Sequence, residues 1–518
     1  MTPPAIDWLH LSPIVIILGA AVLSVLVEAF VPARFRKGAQ VFLALVATSA
    51  AGVVALWLSL DDSGGAVAAV GGHVLIDPMT LYLQIAVALV AFLSVFVIAD
   101  KMLDGQDAFT PAPAAAPGSE PEEQARALGL THTEAFPLTL FAAGGMMVFP
   151  AAGDLLTMFV ALEVTSLPLY LLTGLASRRR LLSQEASLKY FLLGAFASAF
   201  FLFGAAWVYG ATGTVSLTRI SSFITSGDLS GDLLLFAGLI LIVIGLGFKI
   251  GAVPFHMWTP DVYQGAPTPV TGFMAAATKI AAFGALLRIV YAVVAPLRWD
   301  LGPALWTLAI MTMVVGTVIG LTQHNIKRLL AYSAIAHAGF ILTGVVSFTA
   351  SGIGAALFYL MAYGVATVGA FAVVGLVHVA GPDGGTLGEA ETIERWRGLG
   401  KTSPVLAGTM SLFLLAFAGI PLTSGFIGKY AVFAAAFEGD AWPLAMVGIA
   451  CSAAAAFFYA RIIVSMFFAE PAAEFAVAAR TDGLAGISIA IAALATVALG
   501  VAPGPLLDFA EKAARLAP

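Results

Sequence analysis

Four ionisable side chains stand where the chain is otherwise apolar: Glu163, Lys249, Lys279 and Lys429. Glu163 lies in DLLTMFVALEVTSLPLYLL, Lys249 between Phe248 and Ile250, Lys279 in GFMAAATKIAAFGALL and Lys429 in GIPLTSGFIGKYAVF. A charge at the centre of a membrane helix costs about 2.5 kcal/mol or more, so each is first a hypothesis about ion or proton movement. Desolvation loosens the proton on a buried amine and a nearby carboxylate tightens it, so changing a Glu–Lys distance switches proton affinity. Glu163 and Lys249 are the natural pair for this switch. The bland alternatives are a structural salt bridge for Glu163 and a lysine snorkelling from a helix end for Lys249.

His337, in RLLAYSAIAHAGFILTG, is the ionisable group placed to relay protons between Lys279 and Lys429, since histidine titrates near neutral pH. A hydrogen-bonded core histidine is the competing reading. Lys189, in EASLKYFLLGAF, is either a further relay member or a snorkelling lysine near a cytoplasmic helix end. Glu28, His378, Arg288 and Arg461 fall nearer helix ends and read as interfacial or packing residues.

Other chemistries find no support. His256 has Asp261 nearby, but no HExxH, CxxC or spaced His/Asp cluster accompanies it, so no metal site is expected. No GxxxxGK[ST] loop for nucleotide phosphates occurs. The single cysteine, Cys451, excludes an intrachain disulfide or a cysteine-ligated iron–sulfur cluster and reads as inert packing.

The elements that must carry these residues are membrane helices. Of 518 residues, 60% are hydrophobic and 10% charged, far from the soluble norm of about a quarter charged. The net charge of -6 and the lack of a basic patch argue against nucleic acid as a partner. Taking about 20 residues per crossing, the chain gives about fourteen apolar stretches: 13–31, 39–60, 76–99, 136–151, 154–174, 186–210, 232–257, 270–296, 304–322, 328–347, 351–380, 404–437, 442–469 and 484–510. The start, MTPPAIDWLH, does not read as a removable signal peptide.

Loop charge then sets orientation. Arg34, Arg36, Lys37, Lys101, Arg126, Arg178, Arg179, Arg180, Lys327, Arg328, Arg395, Arg397, Lys401 and Arg480 share one side, and only Arg219, Arg298, Lys512 and Arg515 the other. Both termini are therefore expected outside. The acidic, Pro/Ala-rich segment 101–135 reads as a flexible cytoplasmic connection, and the charges of 381–403 as a solvated face.

Two stretches echo one another. The seventh carries Lys249 and Pro254, the twelfth Pro421 and Lys429, and paired Pro-interrupted helices are a mark of repeated transporter folds, where a break exposes backbone groups to a polar cavity. The expected architecture is an all-α polytopic membrane protein, one membrane domain over 1–518. It divides into three N-terminal helices (1–100), a first five-helix repeat over helices four to eight (136–296), a second over helices nine to thirteen (304–469) and a C-terminal helix (484–518). An odd number of crossings makes the repeats inverted.

Longer motifs name a family. SLKYFLLGAFASAFFLFGAAWVYGATGT from Ser187, FKIGAVPFHMWTPDVYQGAPTPVTGFMAAATK from Phe248, IKRLLAYSAIAHAGF from Ile326 and GIPLTSGFIGKY from Gly419 resemble the N subunits of bacterial NADH-quinone oxidoreductase, respiratory complex I, well over about 135–470. That resemblance implies an antiporter-like, proton-translocating subunit of the membrane arm, in a bacterial plasma membrane. Glu163 and Lys249 would be its charge pair, Lys279 its central lysine and Lys429 its terminal lysine, where M subunits carry glutamate. It implies partners among the other membrane subunits, especially M and the small J and K subunits, besides the lipid bilayer. It also implies no cofactor in this chain: FMN, iron–sulfur clusters and quinone would belong to partner subunits. The rival is an Mrp-type cation/proton antiporter subunit, which shares the charges but not the wording PFHMWTPDVYQGAPTP.

Overall fold

Aspartate opens the first apolar run. In the computed structural model, which describes residues 6–61, 65–101, 107–128, 132–227, 232–380, 386–470, 477–479 and 483–514, Asp7 accepts N–H bonds from Leu9 and His10 to start α1 (Trp8–Phe30). Such a cap satisfies helix-end donors that lipid cannot. Helix α2 (Ala33–Leu60) follows, then a two-residue strand pair, β1 (Val67–Ala68) with β2 (Leu75–Ile76), and α3 (Pro78–Ala99), capped by Asp77. After the short α4 (Glu120–Ala127), α5 (Ala135–Val148) leads to α6 (Leu155–Thr173), capped by Asp154. Next come α7 (Arg180–Thr212), α8 (Leu217–Ser226) and α9 (Leu233–Ile250), the last capped by Asp232.

The second half runs through α10 (Trp258–Gly265), α11 (Thr268–Phe273), α12 (Lys279–Ile289), α13 (Arg298–Thr322), α14 (Ile326–Val345) and α15 (Ala350–Leu376). Strands β3 (Val377–Ala380) and β4 (Thr386–Glu389) pair antiparallel, and α16 (Leu399–Thr402), α17 (Pro404–Ala418), α18 (Ser424–Glu438) and α19 (Trp442–Phe468) follow. Strand β5 (Val477–Ala479) returns to β3, and α20 (Leu484–Val501) and α21 (Gly504–Ala513) end the described chain.

Among the described residues, 11 helical runs are long and apolar enough to cross a membrane by length and composition, and Ala135–Ala151 and Pro404–Ala418 are shorter apolar helices. The polytopic all-α reading therefore stands, with only the small strand pairs outside it. The interior is built on α15, whose most apolar window is wholly buried, and on α14 and α3; α1, α2 and α19 lie at the periphery with about a third or less of that window covered.

Several expected boundaries move. The long stretch at 404–437 is two helices, α17 and α18, parted by Gly419 to Thr423. Helix α9 stops at Ile250, before Pro254, because Gly251 takes a left-handed conformation (φ 75°) and its N–H bonds back to Phe248 O. The expected loop between 296 and 304 is absent: Thr268–Thr322 is one helical run, through π-helical turns at Met274–Thr278 and Val290–Val294 and a 3₁₀ turn at Ala295–Leu297. Part of the expected flexible connection, including α4, packs on the body, with Glu122 and Arg180 forming a buried ion pair at 3.2 Å. Nor are the charges of 381–403 all solvated: Glu391 is buried and pairs with Arg179, and Glu389 pairs with buried Lys327 at 3.4 Å. Arg480 and Arg515, used for orientation, lie outside the described residues.

Candidate functional site

A broken helix leaves carbonyls with no intrahelical partner, and in lipid something must donate to them. At the C-terminal end of α9 the donor is Lys279. Its Nζ, on α12 immediately after a π-helical turn, donates to Ile250 O at 2.9 Å and to Ala334 O of α14 at 2.8 Å. At the C-terminal end of α17 the donor is Lys429, on the other half of the same interrupted helix. Its Nζ donates to Phe417 O at 2.8 Å, Ala418 O at 3.0 Å and Ser452 Oγ at 2.7 Å, and lies 4.9 Å from the Phe340 ring centre. Both breaks turn on a left-handed glycine, Gly251 and Gly419. Both lysines are 5% exposed or less. A cation at a helix C-terminus is also favoured by the helix dipole.

Lys249 is buried one residue before the first break. Its Nζ donates to Ser166 Oγ at 2.5 Å and stands 5.7 Å from the ring centres of Tyr170 and Tyr190. Among the described residues no Glu163–Lys249 ion pair is formed within 4.0 Å. Glu163 instead lies one turn from Ser166 on α6, with Oε1 buried and unpartnered. Lys249 thus bonds a serine that shares a helix face with Glu163 rather than Glu163 itself. Ser166 was not singled out by the sequence, though its i+3 spacing from Glu163 puts the two on one face.

His337 is buried on α14, three residues after the carbonyl that Lys279 grips. Tyr359 OH lies 2.8 Å from Nδ1 and Tyr459 OH 3.2 Å from Nε2, and Tyr459 OH meets Ser333 Oγ at 2.5 Å. Its ring lies 5.6 Å from that of Phe417, whose carbonyl holds Lys429. The four groups thus follow one another in a file: Lys249 adjoins Ile250, whose carbonyl Lys279 holds, Lys279 also holds Ala334 one turn before His337, and the His337 ring meets that of Phe417, whose carbonyl holds Lys429. Tyr359 and Tyr459 were missed because a tyrosine in an apolar helix looks like packing until its hydroxyl is placed.

Lys189 does not join this file. Its side chain is 44% exposed and ion-paired with Glu185 at 2.7 Å and Asp261 at 2.9 Å, and Arg328 reaches the same Asp261 at 2.7 Å. This cluster braces α10 against α7 and α14. Arg288, in the last turn of α12, is a packing residue 1% exposed: Nη2 meets both oxygens of Asp77, at 3.0 and 2.9 Å, and Nε donates to Pro150 O.

The family described as NADH:quinone oxidoreductase/Mrp antiporter, TM matches residues 152–456, which hold all of these groups from Glu163 to Lys429. A solved chain of respiratory complex I from Thermus thermophilus with bound aureothin superposes with a TM-score of 0.76 at 33% identity, covering 96% of this chain and 98% of its own. A chain of the Mrp complex from Dietzia has the same fold, with a TM-score of 0.78 but 22% identity, over 97% of each chain. The NADH-quinone oxidoreductase subunit N of Mycobacterium tuberculosis is 52% identical over 528 aligned positions, 99% of each chain. With that identity along nearly its full length, the chain belongs to the family of NADH-quinone oxidoreductase subunit N.

Proposed function

We propose that this chain is a proton-translocating subunit in the membrane arm of a bacterial NADH-quinone oxidoreductase, moving protons along Glu163, Lys249, Lys279, His337 and Lys429 while quinone is reduced elsewhere in the complex. The observation that carries the reading is the pair of buried ammonium groups, Lys279 and Lys429, each closing the cut end of a membrane helix. A cap that gives up its proton gives up much of its hold on those carbonyls, so protonation and the packing of the broken helix are one event. Charge changes in neighbouring subunits would then be felt along the file. Lys189 has no part in the relay and serves as a brace at the cytoplasmic end.

The chain itself would hold no redox centre, with FMN, iron–sulfur clusters and quinone falling to partner subunits; its neighbours in the membrane would be other complex I membrane subunits, especially M and the small J and K subunits. Both termini would face the outer side of the plasma membrane, and residues 136–296 and 304–469 would form inverted repeats. The alternative, an Mrp-type cation/proton antiporter subunit, uses the same fold; the identity to subunit N weighs against it. Gentle purification with identification of the co-purifying chains decides between them. Quinone-reductase subunits are expected, and a set made only of antiporter-like chains would overturn the assignment. Lys279→Ala in correctly assembled membranes is expected to abolish most proton translocation through this subunit.

A further inference from the structure

We propose that Ser166 is a positioning residue that parks Lys249 beside Glu163 and off it, so that one hydrogen bond sets the distance between the two charges. The inference rests on the role given to Lys249 above. Lys249 Nζ donates to Ser166 Oγ at 2.5 Å, and the serine hydroxyl gives its own proton to Leu162 O one turn back. The direction of that second bond matters. With its proton committed to the helix, the serine oxygen presents lone pairs to the lysine and accepts from the ammonium.

Glu163 is the acceptor left empty. It lies three residues before Ser166, a spacing that sets two side chains side by side on a helix, and its Oε1 is buried with no partner. The titratable groups facing Lys249 are Glu163 and Tyr170 on α6, Tyr190 on α7 and, across Ile250, Lys279 on α12. The tyrosines turn ring faces to the ammonium, and Lys279 repels it while charged. The Tyr170 and Tyr190 hydroxyls are buried without partners as well, but Glu163 is the one carboxylate in that set and so the strongest alternative acceptor for the ammonium. Two acceptors a turn apart on one face of α6 then serve one donor.

The test uses the intact complex. The infrared difference band that disappears in Glu163→Gln identifies the Glu163 carboxyl, and it is then recorded in Ser166→Ala and in Ser166→Cys, which keeps the bulk but is a weak acceptor. Loss of a hydrogen bond to a charged group moves the Lys249 distribution toward Glu163 by roughly tenfold. The Glu163 band is therefore expected to shift in both variants and to keep its wild-type position in Ser166→Thr, which retains the hydroxyl. An unshifted band in Ser166→Ala and Ser166→Cys, in a complex where Lys249→Ala does impair pumping, removes the positioning role and leaves the Lys249 reading in place. Wild-type pumping by an assembled Lys249→Ala complex removes that reading itself, and the Ser166 proposal with it.

Discussion

Lys279 holds the carbonyl of Ile250 at 2.9 Å across the break that ends α9, although the two residues are 29 positions apart. The same ammonium reaches Ala334 at 2.8 Å, so one charge ties the cut helix to α14. Lys279 is thus both a structural cap and a titratable group, and substitutions at this position separate the two. Lys279→Arg keeps the cap charge but does not deprotonate in an accessible range. The complex is expected to assemble, with proton translocation in sealed vesicles reduced roughly tenfold or more. Lys279→Met loses both hydrogen bonds and leaves the Ile250 carbonyl, at the cut end of α9, buried and unpaired at about 1–3 kcal/mol, so the amount of assembled complex should fall as well. Full pumping by assembled Lys279→Arg would sink the relay role of this lysine.

The second break is tested through a glycine. A Cβ on Gly425, near the start of α18, would stand 1.8 Å from Ala416 O on α17, a backbone atom that cannot move aside without moving the helix. Gly425→Ala must therefore push α18 away from α17 and draw Lys429 off the Phe417 and Ala418 carbonyls. A cost above about 3 kcal/mol is expected, read as a collapse in assembled complex on native gels. Gly408, within α17 itself, has nothing within 4 Å of such a Cβ. Gly408→Ala should assemble normally and gain a few tenths to about 1 kcal/mol in thermal stability. Equal behaviour of the two variants would refute the clamp.

How much of this was legible in the sequence depends on what each residue's neighbours reveal. Deep lysines announce themselves because everything around them is apolar, and Gly251 and Gly419 stand where two breaks were anticipated near Pro254 and Pro421. A serine in an apolar helix announces nothing, so Ser166 and Ser452 emerged only when α6 and α19 were laid against Lys249 and Lys429. The gap between the apolar stretches ending at 296 and beginning at 304 is helical as well: Pro296 opens a 3₁₀ turn, where its missing N–H costs little, and α13 continues from that turn with Pro303 inside it. The charges of 381–403 looked solvated because the partners of Glu389 and Glu391, Lys327 and Arg179, lie over 60 residues away in the chain. Lys189 sat near enough to a helix end that only the position of Asp261 could decide its environment.

Arg288 and Asp77 make a second kind of prediction. Both are 1% exposed or less, and the guanidinium spans both carboxylate oxygens, Thr80 Oγ1 and Pro150 O. Removing one member strands a buried charge, which costs about 3–5 kcal/mol, while replacing both with apolar residues is far milder. Asp77→Asn should lower the thermal midpoint of the purified complex more than the double variant Asp77→Leu/Arg288→Met does. Part of the Asp77 loss will remain in the double variant, because Asp77 also caps α3 through Thr80 N. A double variant less stable than Asp77→Asn would mean that the pair itself carries net stability.

The clamp formed by Glu389 and Lys327 supplies a pH prediction. Burial raises the Glu389 carboxyl, but Lys327 beside it, the Thr268 hydroxyl at 2.5 Å and the nearby His378 more than offset that, leaving it below its ordinary 4.5. A carboxyl that is a stronger acid when folded stabilises fully above the unfolded value, and that contribution drains away as pH falls through the folded one. Between pH 8 and about 5 the clamp should be insensitive to pH, with the loss beginning near 4.5 and continuing below it. Glu389→Gln removes the charge at every pH. Its deficit relative to the unsubstituted chain, on the order of 1 kcal/mol for a charge-assisted bond at a partly exposed site, should therefore be constant above pH 5 and shrink toward zero in acid. Thermal unfolding of the two proteins side by side across that range measures it. A deficit that grew as the pH fell would mean that Glu389 binds its proton more tightly in the folded chain, and the clamp would then not be ionic.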